Sequence, residues 1–344
     1  MKLFNLLIVG LLLGCSFVNY QNSFISKDTI PIIKDKVFIS SDGYKHYVER
    51  WKCDGVSEII LIGIHGYSDY SNSFKIPAKF LNKFGIDFYA FDLRGFGRDP
   101  NRGVWFDKEM HLNDVYEFLL LVKSENPNKK FFILGESMGG AIVMSLVRQK
   151  NLSINGLIFV APAIWNFQDQ NFFLSKILLF FSKIFPNLSL SGKNLLSVKP
   201  SDNIAMLQEF SNDPNVIHGS SLSSLQGITN LMTQSYYDAS VFLKNPKVKT
   251  LIVLPIKDYI VPRKPLQKIL EDKQIRRNVR RNDICLGIYD NHYHMILRDI
   301  DGDRVTREIK EWIISTDVCD NLISFSRPLK RLEKSDYYHI LDKN

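Results

Sequence analysis

The sequence predicts an α/β fold: a mostly parallel central sheet flanked by helices, with a helical insertion near its middle. Two observations carry that reading. Short apolar runs rich in β-branched and aromatic residues alternate with longer amphipathic segments, as expected of βαβ units whose sheet is covered on both faces. The alternation stops between about residues 162 and 238, where no core strand is evident, and then resumes. The 344 residues are 45% hydrophobic and 23% charged, which allows a sizeable core and argues against global disorder.

The first element is a leader. Met1-Lys2 supplies a positive start, and Leu3 to Leu13 is almost wholly apolar. A run this short, ending in a small residue, reads as a secretory signal over 1–14 and not as a spanning helix. Its ending, Leu12-Leu13-Gly14-Cys15, resembles the lipobox of bacterial lipoproteins. That resemblance implies a lipid on Cys15 and a soluble domain held at a membrane of the bacterial cell envelope by its acyl chains. A periplasmic or secreted protein with an ordinary cleaved signal, or an uncleaved anchor, are the other readings.

Residues 15–36 read as a polar linker. Val37-Phe38-Ile39 and Tyr47 to Trp51 then flank Ser41-Asp42-Gly43, a hairpin signal built on the Asp-Gly turn. Ile59 to Ile64 is a continuous apolar strand ending in His65-Gly66, and Phe88 to Asp92 is another, followed by the loop Leu93 to Arg98. Phe131 to Leu134, Leu157 to Val160, Leu251 to Leu254 and Cys285 to Tyr289 complete the strands, with helices over Lys108 to Ser124 and Met138 to Gln149. The core is therefore expected over 37–161 and 239–316, and a C-terminal extension over 317–344. The insertion, 162–238, should rise beyond the carboxyl ends of the strands, where α/β sites lie, as a helical cap. Within it Phe173, Ile177, Phe180, Phe181 and Ile184 recur at helical spacing, with Lys176 and Lys183 on another face. That stripe fits either a cap packed on the body or a lid that grips an acyl chain or touches a bilayer.

Composition narrows the partners. The formal charge of +8 suits an anionic partner such as a phospholipid surface. No basic cluster interleaved with aromatics is evident, so nucleic acid is not expected as a partner. Beyond Cys15 the cysteines are Cys53, Cys285 and Cys319. An odd number leaves a thiol unpaired and their spacings fit no zinc pattern, so neither a disulfide framework nor a metal site is expected.

The chemistry concentrates at Gly135-Glu136-Ser137-Met138-Gly139, a Gly-x-Ser-x-Gly pattern directly after a strand and before a helix. A serine on that tight turn presents its Oγ beyond the sheet edge, and the flanking glycines let neighbouring backbone approach. A neutral hydroxyl is a weak nucleophile, so an acid and then a histidine should follow in chain order. Asp258, just past the strand Leu251 to Leu254, is the candidate acid; its other reading is a loop carboxylate capping the helix after Pro262. Asp290-Asn291-His292-Tyr293-His294 offers two candidate bases, and with Asp290 the two histidines also hint at a metal, though no third ligand stands at a useful spacing.

These residues resemble the monoacylglycerol lipase/lysophospholipase family of α/β-hydrolases over roughly 37–316. Gly135 to Gly140 is similar to that family's Gly-His-Ser-Met-Gly-Gly, with Glu136 in place of the histidine. His65-Gly66-Tyr67, Asp92 to Arg98, Asn113-Asp114 and Ala161-Pro162-Ala163 match further family segments. The resemblance implies an α/β-hydrolase fold, His294 as base, and backbone amides of Tyr67 and Met138 as the oxyanion hole. It implies two-step acyl transfer on Ser137 with no metal or organic cofactor. The implied substrate is a lipid ester, a monoacylglycerol or lysophospholipid, bound in part by Phe173, Ile177, Phe180 and Phe181 of the cap. A general carboxylesterase or thioesterase with a short acyl pocket is the alternative, and a non-catalytic surface lipoprotein a third.

Overall fold

The computed structural model describes residues 15–17, 29–191, 198–315 and 319. The expected signal segment and, apart from Cys319, the C-terminal extension lie outside the described residues, as does the side chain of Cys15. The strands are β1 (Cys15–Phe17), β2 (Ile32–Lys34), β3 (Val37–Ile39), β4 (Lys45–Trp51), β5 (Ile59–Ile64), β6 (Ile86–Phe91), β7 (Lys130–Glu136), β8 (Gly156–Val160), β9 (Leu188–Ser191), β10 (Gly219–Ser221), β11 (Thr250–Lys257) and β12 (Ile284–Tyr293). The helices are α1 (Lys75–Asn82), α2 (Lys108–Glu125), α3 (Met138–Gln149), α4 (Phe167–Gln170), α5 (Phe172–Ile184), α6 (Ile204–Asn212), α7 (Leu222–Phe242), α8 (Arg263–Leu270), α9 (Lys273–Arg280) and α10 (Gly302–Ile314).

Nine strands form one sheet in the order β12-β11-β8-β7-β5-β6-β4-β3-β2. From β12 to β6 every neighbouring pair is parallel, and β4, β3 and β2 add antiparallel partners at one side. Every residue of β6 and of β8 is buried, which is why these runs do not alternate; β8 is apolar throughout, and the one carboxylate of β6, Asp87, pairs with Lys129 at 2.8 Å. One apolar cluster fills the face under α2, α3 and α7; a second, built on Phe74, Phe88, Phe132 and Trp312, fills the face under α1 and α10. The Asp-Gly hairpin closes β3 onto β4, with Gly43 at φ 82° and the Asp42 carboxylate accepting from the Tyr44 amide at 3.1 Å.

Three expectations change. The linker over 15–36 contains β2, which pairs with β3 through a two-residue turn whose Asp35 and Lys36 both have positive φ (47° and 63°), as a type I′ turn requires. Three residues are too few for periodicity to reveal such a strand. The cap is not purely helical: alongside α4 to α7, β9 pairs antiparallel with β1 and with β10. Helix α7 also runs past residue 238, so the cap and the core share it. Finally, Cys285 and Cys319 form a disulfide, with Cα atoms 5.4 Å apart, and leave Cys53 free. The odd cysteine count concealed a pair that joins β12 to the chain beyond α10; Trp312, within α10, donates its Nε1 proton to Cys285 Sγ at 3.2 Å.

Candidate active site

Parallel strands deliver their carboxyl ends to one rim, and four of them carry the candidate residues there. Ser137 follows β7 directly and precedes α3, with φ 52° and ψ −116°. A non-glycine residue held in that sparsely populated region costs on the order of 1–3 kcal/mol, and surrounding contacts must hold it there. They are specific: the Ser137 amide donates to the Val160 carbonyl at 3.0 Å, and the Ser137 carbonyl accepts from the Ala163 amide at 2.9 Å. The flanking glycines are obligatory. A Cβ on Gly135 would lie 2.7 Å from the Gly139 carbonyl oxygen, and one on Gly139 only 2.0 Å from that of Ile64.

Asp258 stands one residue past β11, and its two oxygens do different things. Oδ1 accepts from the amides of Ile260 and Val261, each at 2.9 Å, which fixes the turn. Oδ2 lies 2.8 Å from His294 Nδ1. The carboxylate thus turns its own loop without capping α8, and also reaches the imidazole. His294 follows β12, the neighbour of β11 in the sheet, and its Nε2 lies 2.9 Å from Ser137 Oγ. With a carboxylate at Nδ1, that nitrogen carries the proton, so Nε2 accepts from the serine hydroxyl. Burial alone would push the His294 pKa down, but the Asp258 carboxylate outweighs it and holds the imidazole above its ordinary value.

His292 stays apart from this chain of bonds. It is buried with its ring edge-on to Tyr289, and neither ring nitrogen has a hydrogen-bond partner among the described residues. Among the described residues no group of three His, Cys, Asp or Glu side chains is placed to hold a metal ion.

The segment after β5 supplies the other wall. A Cβ on Gly66 would lie 3.2 Å from the Ser137 Cβ, so this backbone passes directly over the nucleophile, with Tyr67 next in line. His65 holds it in place: Nε2 accepts from the Leu93 amide at 3.0 Å and Nδ1 donates to the Gly66 carbonyl at 2.9 Å. Burial lowers the His65 pKa, which suits the neutral ring those bonds need. Met138 is the first residue of α3, where amides lack intrahelical acceptors and the helix dipole favours negative charge. The loop after β6 is tied down by ion pairs to buried carboxylates. Asp92 takes Arg98 Nε at 2.9 Å and the Ser71 hydroxyl at 2.5 Å, and Asp114 takes Arg94 through two bonds of 2.6 Å.

A charged cluster that spacing does not announce lies behind the nucleophile. Glu136 is buried and its Oε1 has no hydrogen-bond partner among the described residues. Burial pushes its pKa up, against the pull of Arg298. Arg298, four residues past the histidine, pairs with Asp69 at 2.6 Å. The only sequence signal was Glu136 standing where the family pattern has histidine. The cap residues behave differently again: Phe173, Ile177, Phe180 and Phe181 lie on α5 at 82, 55, 59 and 45% exposure, and no described contact joins them to Ser137, Asp258 or His294.

Comparison with known proteins is consistent with this geometry. The family model described as serine aminopeptidase, S33 matches residues 56–301. Among curated relatives, the monoacylglycerol lipase of Mycolicibacterium smegmatis is 24% identical over 81% of this chain and 96% of its own length. Among solved structures, the monoacylglycerol lipase of Paleococcus ferrophilus is 22% identical, with a TM-score of 0.64 over 79% of this chain and 99% of that one. A soluble variant of the Saccharomyces cerevisiae monoglyceride lipase, in complex with a substrate analog, is 18% identical with a TM-score of 0.67, over 88% and 99%. The structural likenesses establish the α/β-hydrolase fold, with its nine-stranded, mostly parallel sheet between helices.

Proposed function

The chain belongs to the serine aminopeptidase S33 family of hydrolases, and from that premise we propose that it is a carboxylic ester hydrolase acting on lipid esters, a monoacylglycerol lipase or lysophospholipase. The single observation that carries the reading is the unbroken line of bonds from Asp258 through His294 to Ser137 Oγ, at 2.8 and 2.9 Å. In the proposed mechanism His294 Nε2 takes the hydroxyl proton as Oγ attacks the ester carbonyl, while Asp258 fixes the tautomer and steadies the imidazolium. The amides of Tyr67 and Met138 receive the developing oxyanion, a contribution of about 3–4 kcal/mol where one such donor is removed. His294 then returns the proton to the leaving alkoxide, and water, deprotonated by the same nitrogen, releases the acid from Ser137.

The lipid part of the reading rests on two supports. Curated relatives aligned over 80 and 81% of this chain include monoglyceride and monoacylglycerol lipases. In addition, α5 turns a broad apolar face outward, as a surface that meets acyl chains or a bilayer would. No described helix is long and apolar enough to cross a membrane. We place the enzyme at the bacterial cell envelope, held by a lipid on Cys15. The Cys285–Cys319 disulfide favours maturation in an oxidising compartment outside the cytosol.

A fluorophosphonate probe should label the protein, and Ser137→Ala should abolish labelling. Turnover of 1-monoacylglycerol and lysophosphatidylcholine, beside p-nitrophenyl esters of rising chain length, tests the substrate class. Preference for acetate with neither lipid hydrolysed would make it a short-acyl carboxylesterase. Mass spectrometry of the mature N-terminus, showing an acylated Cys15 or an unmodified one, decides the anchor.

A further inference from the structure

The positive charge of this chain is not spread over the molecule. Residues 244–283 hold twelve Lys and Arg against four Asp and Glu, a net +8 that equals the formal charge of the whole chain. The rest of the sequence is therefore balanced, and a general bias toward lysine does not explain the excess. The segment folds as the α7–β11 connection, β11, α8 and α9.

These pieces form one continuous surface. Gln274 Nε2 donates to the Lys244 carbonyl at 2.7 Å, Asn278 Nδ2 donates to the carbonyls of Leu243 and Lys244 at 2.9 and 3.0 Å, and Lys244 Nζ lies 3.1 Å from Asp272. The connection is thereby laid along α9. Ile275, Asn278 and Val279 are buried beneath α9, and Leu266, Ile269 and Leu270 beneath α8. That helical phase turns the cations outward: eight Lys and Arg of the segment, among them Lys268, Lys273, Arg277, Arg280 and Arg281, are exposed, against one exposed carboxylate, Glu271.

The fold gains little from the pattern. Lys273 and Arg277, and Arg276 and Arg280, are like charges four apart on one helix, which is destabilising. Lys273 also stands at the N-terminal end of α9, where the helix dipole opposes it; only the cations at the other end suit the dipole. The chemistry of the partner follows from the shape. A discrete anion would need cations converging on a cavity, whereas these diverge over two helix faces. Nucleic acid without sequence preference is gripped by aromatic platforms as well as charge, and the only aromatic of the segment is Tyr259, beside Asp258. A broad anionic surface asks only for many cations on one side, in no particular register.

We propose that α8, α9 and the α7–β11 connection form a docking surface for bilayers rich in anionic phospholipid. The surface starts at the catalytic rim, since α8 begins five residues past Asp258. This deepens the lipid-hydrolase reading by naming the interface at which the enzyme works, yet it acts without Cys15 acylation and without turnover.

The test uses the full chain carrying Cys15→Ser, so that acylation cannot contribute, in co-sedimentation with phosphatidylcholine vesicles and with vesicles of phosphatidylcholine and phosphatidylglycerol. Binding should be about tenfold or more stronger to the anionic vesicles and should fade between about 0.1 and 1 M salt. The triple variant Arg277→Glu, Arg280→Glu, Arg281→Glu should lose that preference, and the matching triple lysine variant should keep it. The charge-reversed variant should melt with the parent; if it does not, the preference and salt dependence of the parent alone decide. Equal binding to both vesicle types, an undiminished preference in a folded charge-reversed variant, or tighter retention of duplex DNA than of anionic vesicles would overturn the proposal. Turnover of a soluble ester, read on the same samples, separates the two readings: its absence would overturn the hydrolase and leave the vesicle result standing.

Discussion

Ser137 is nucleophilic only while His294 is neutral, so the protonation of one imidazole should set the low-pH limit of activity. Because Asp258 holds that imidazole above its ordinary value of 6.5, kcat/KM should fall to half at a pH above 6.5 on the acid side. Asp258→Asn should move that limb to lower pH and reduce kcat by a factor on the order of 10⁴; a pH–rate profile of both proteins checks it. Glu136 gives a stability prediction of a different sign from a salt-bridged carboxylate. Burial raises its folded-state pKa above 4.5, so the native state binds the proton more tightly than the unfolded chain, and stability falls as pH rises from 4.5 through the folded value. Glu136→Gln carries no such penalty, and its melting temperature should gain on the wild type as pH rises past that window. The nucleophile is legible in sequence because an elbow is a local structure of five residues. Spacing leaves His292 and His294 both open, since residues two apart in a strand share a face; the family resemblance selects His294, and the end of β12 separates the two. The Glu136, Arg298 and Asp69 cluster draws on three distant stretches and leaves no spacing to read.

At the level of elements, the strand–serine–helix turn is the least tolerant part of the site. Gly139→Ala would drive a methyl group to within 2.0 Å of the Ile64 carbonyl oxygen, a backbone atom that cannot swing away. Forced repacking of that kind costs about 1–3 kcal/mol or more, and a lowered denaturation midpoint together with lost probe labelling is the expected outcome. Helix α5 should behave in the opposite way. Phe180 and Phe181 are exposed, so changing both to serine should leave the fold and the turnover of a soluble short ester unchanged while slowing hydrolysis of long-chain lipid presented in vesicles. Parallel turnover assays on the two substrates measure the difference. Periodicity identified α5 as a helix with an apolar stripe, but the same stripe serves a buried face and an outward one. Its direction depends on how α5 lies against α7, which is tertiary information.

For the molecule as a whole, the Cys285–Cys319 bond ties the chain beyond α10 to the outermost strand of the sheet. With the two cysteines 34 positions apart, loss of the crosslink should lower stability by about 3–4 kcal/mol in the chain-entropy picture. Cys319→Ser, or thermal melts with and without reductant, should show it. A cysteine count could not reveal the pair, because one partner lies in a buried strand and the other past α10. The net charge was equally plain as a number and uninformative as one. Buried β11 interrupts the cationic run, and only the phase of α8 and α9 gathers the side chains on one flank. A body that is cationic on one flank and balanced elsewhere is an electric dipole as well as a carrier of net charge. In the field of a negatively charged surface such a body experiences a torque before it makes contact, so it arrives already turned. Its orientation would then be selected during approach, and low ionic strength should accelerate productive encounters more than it prolongs them.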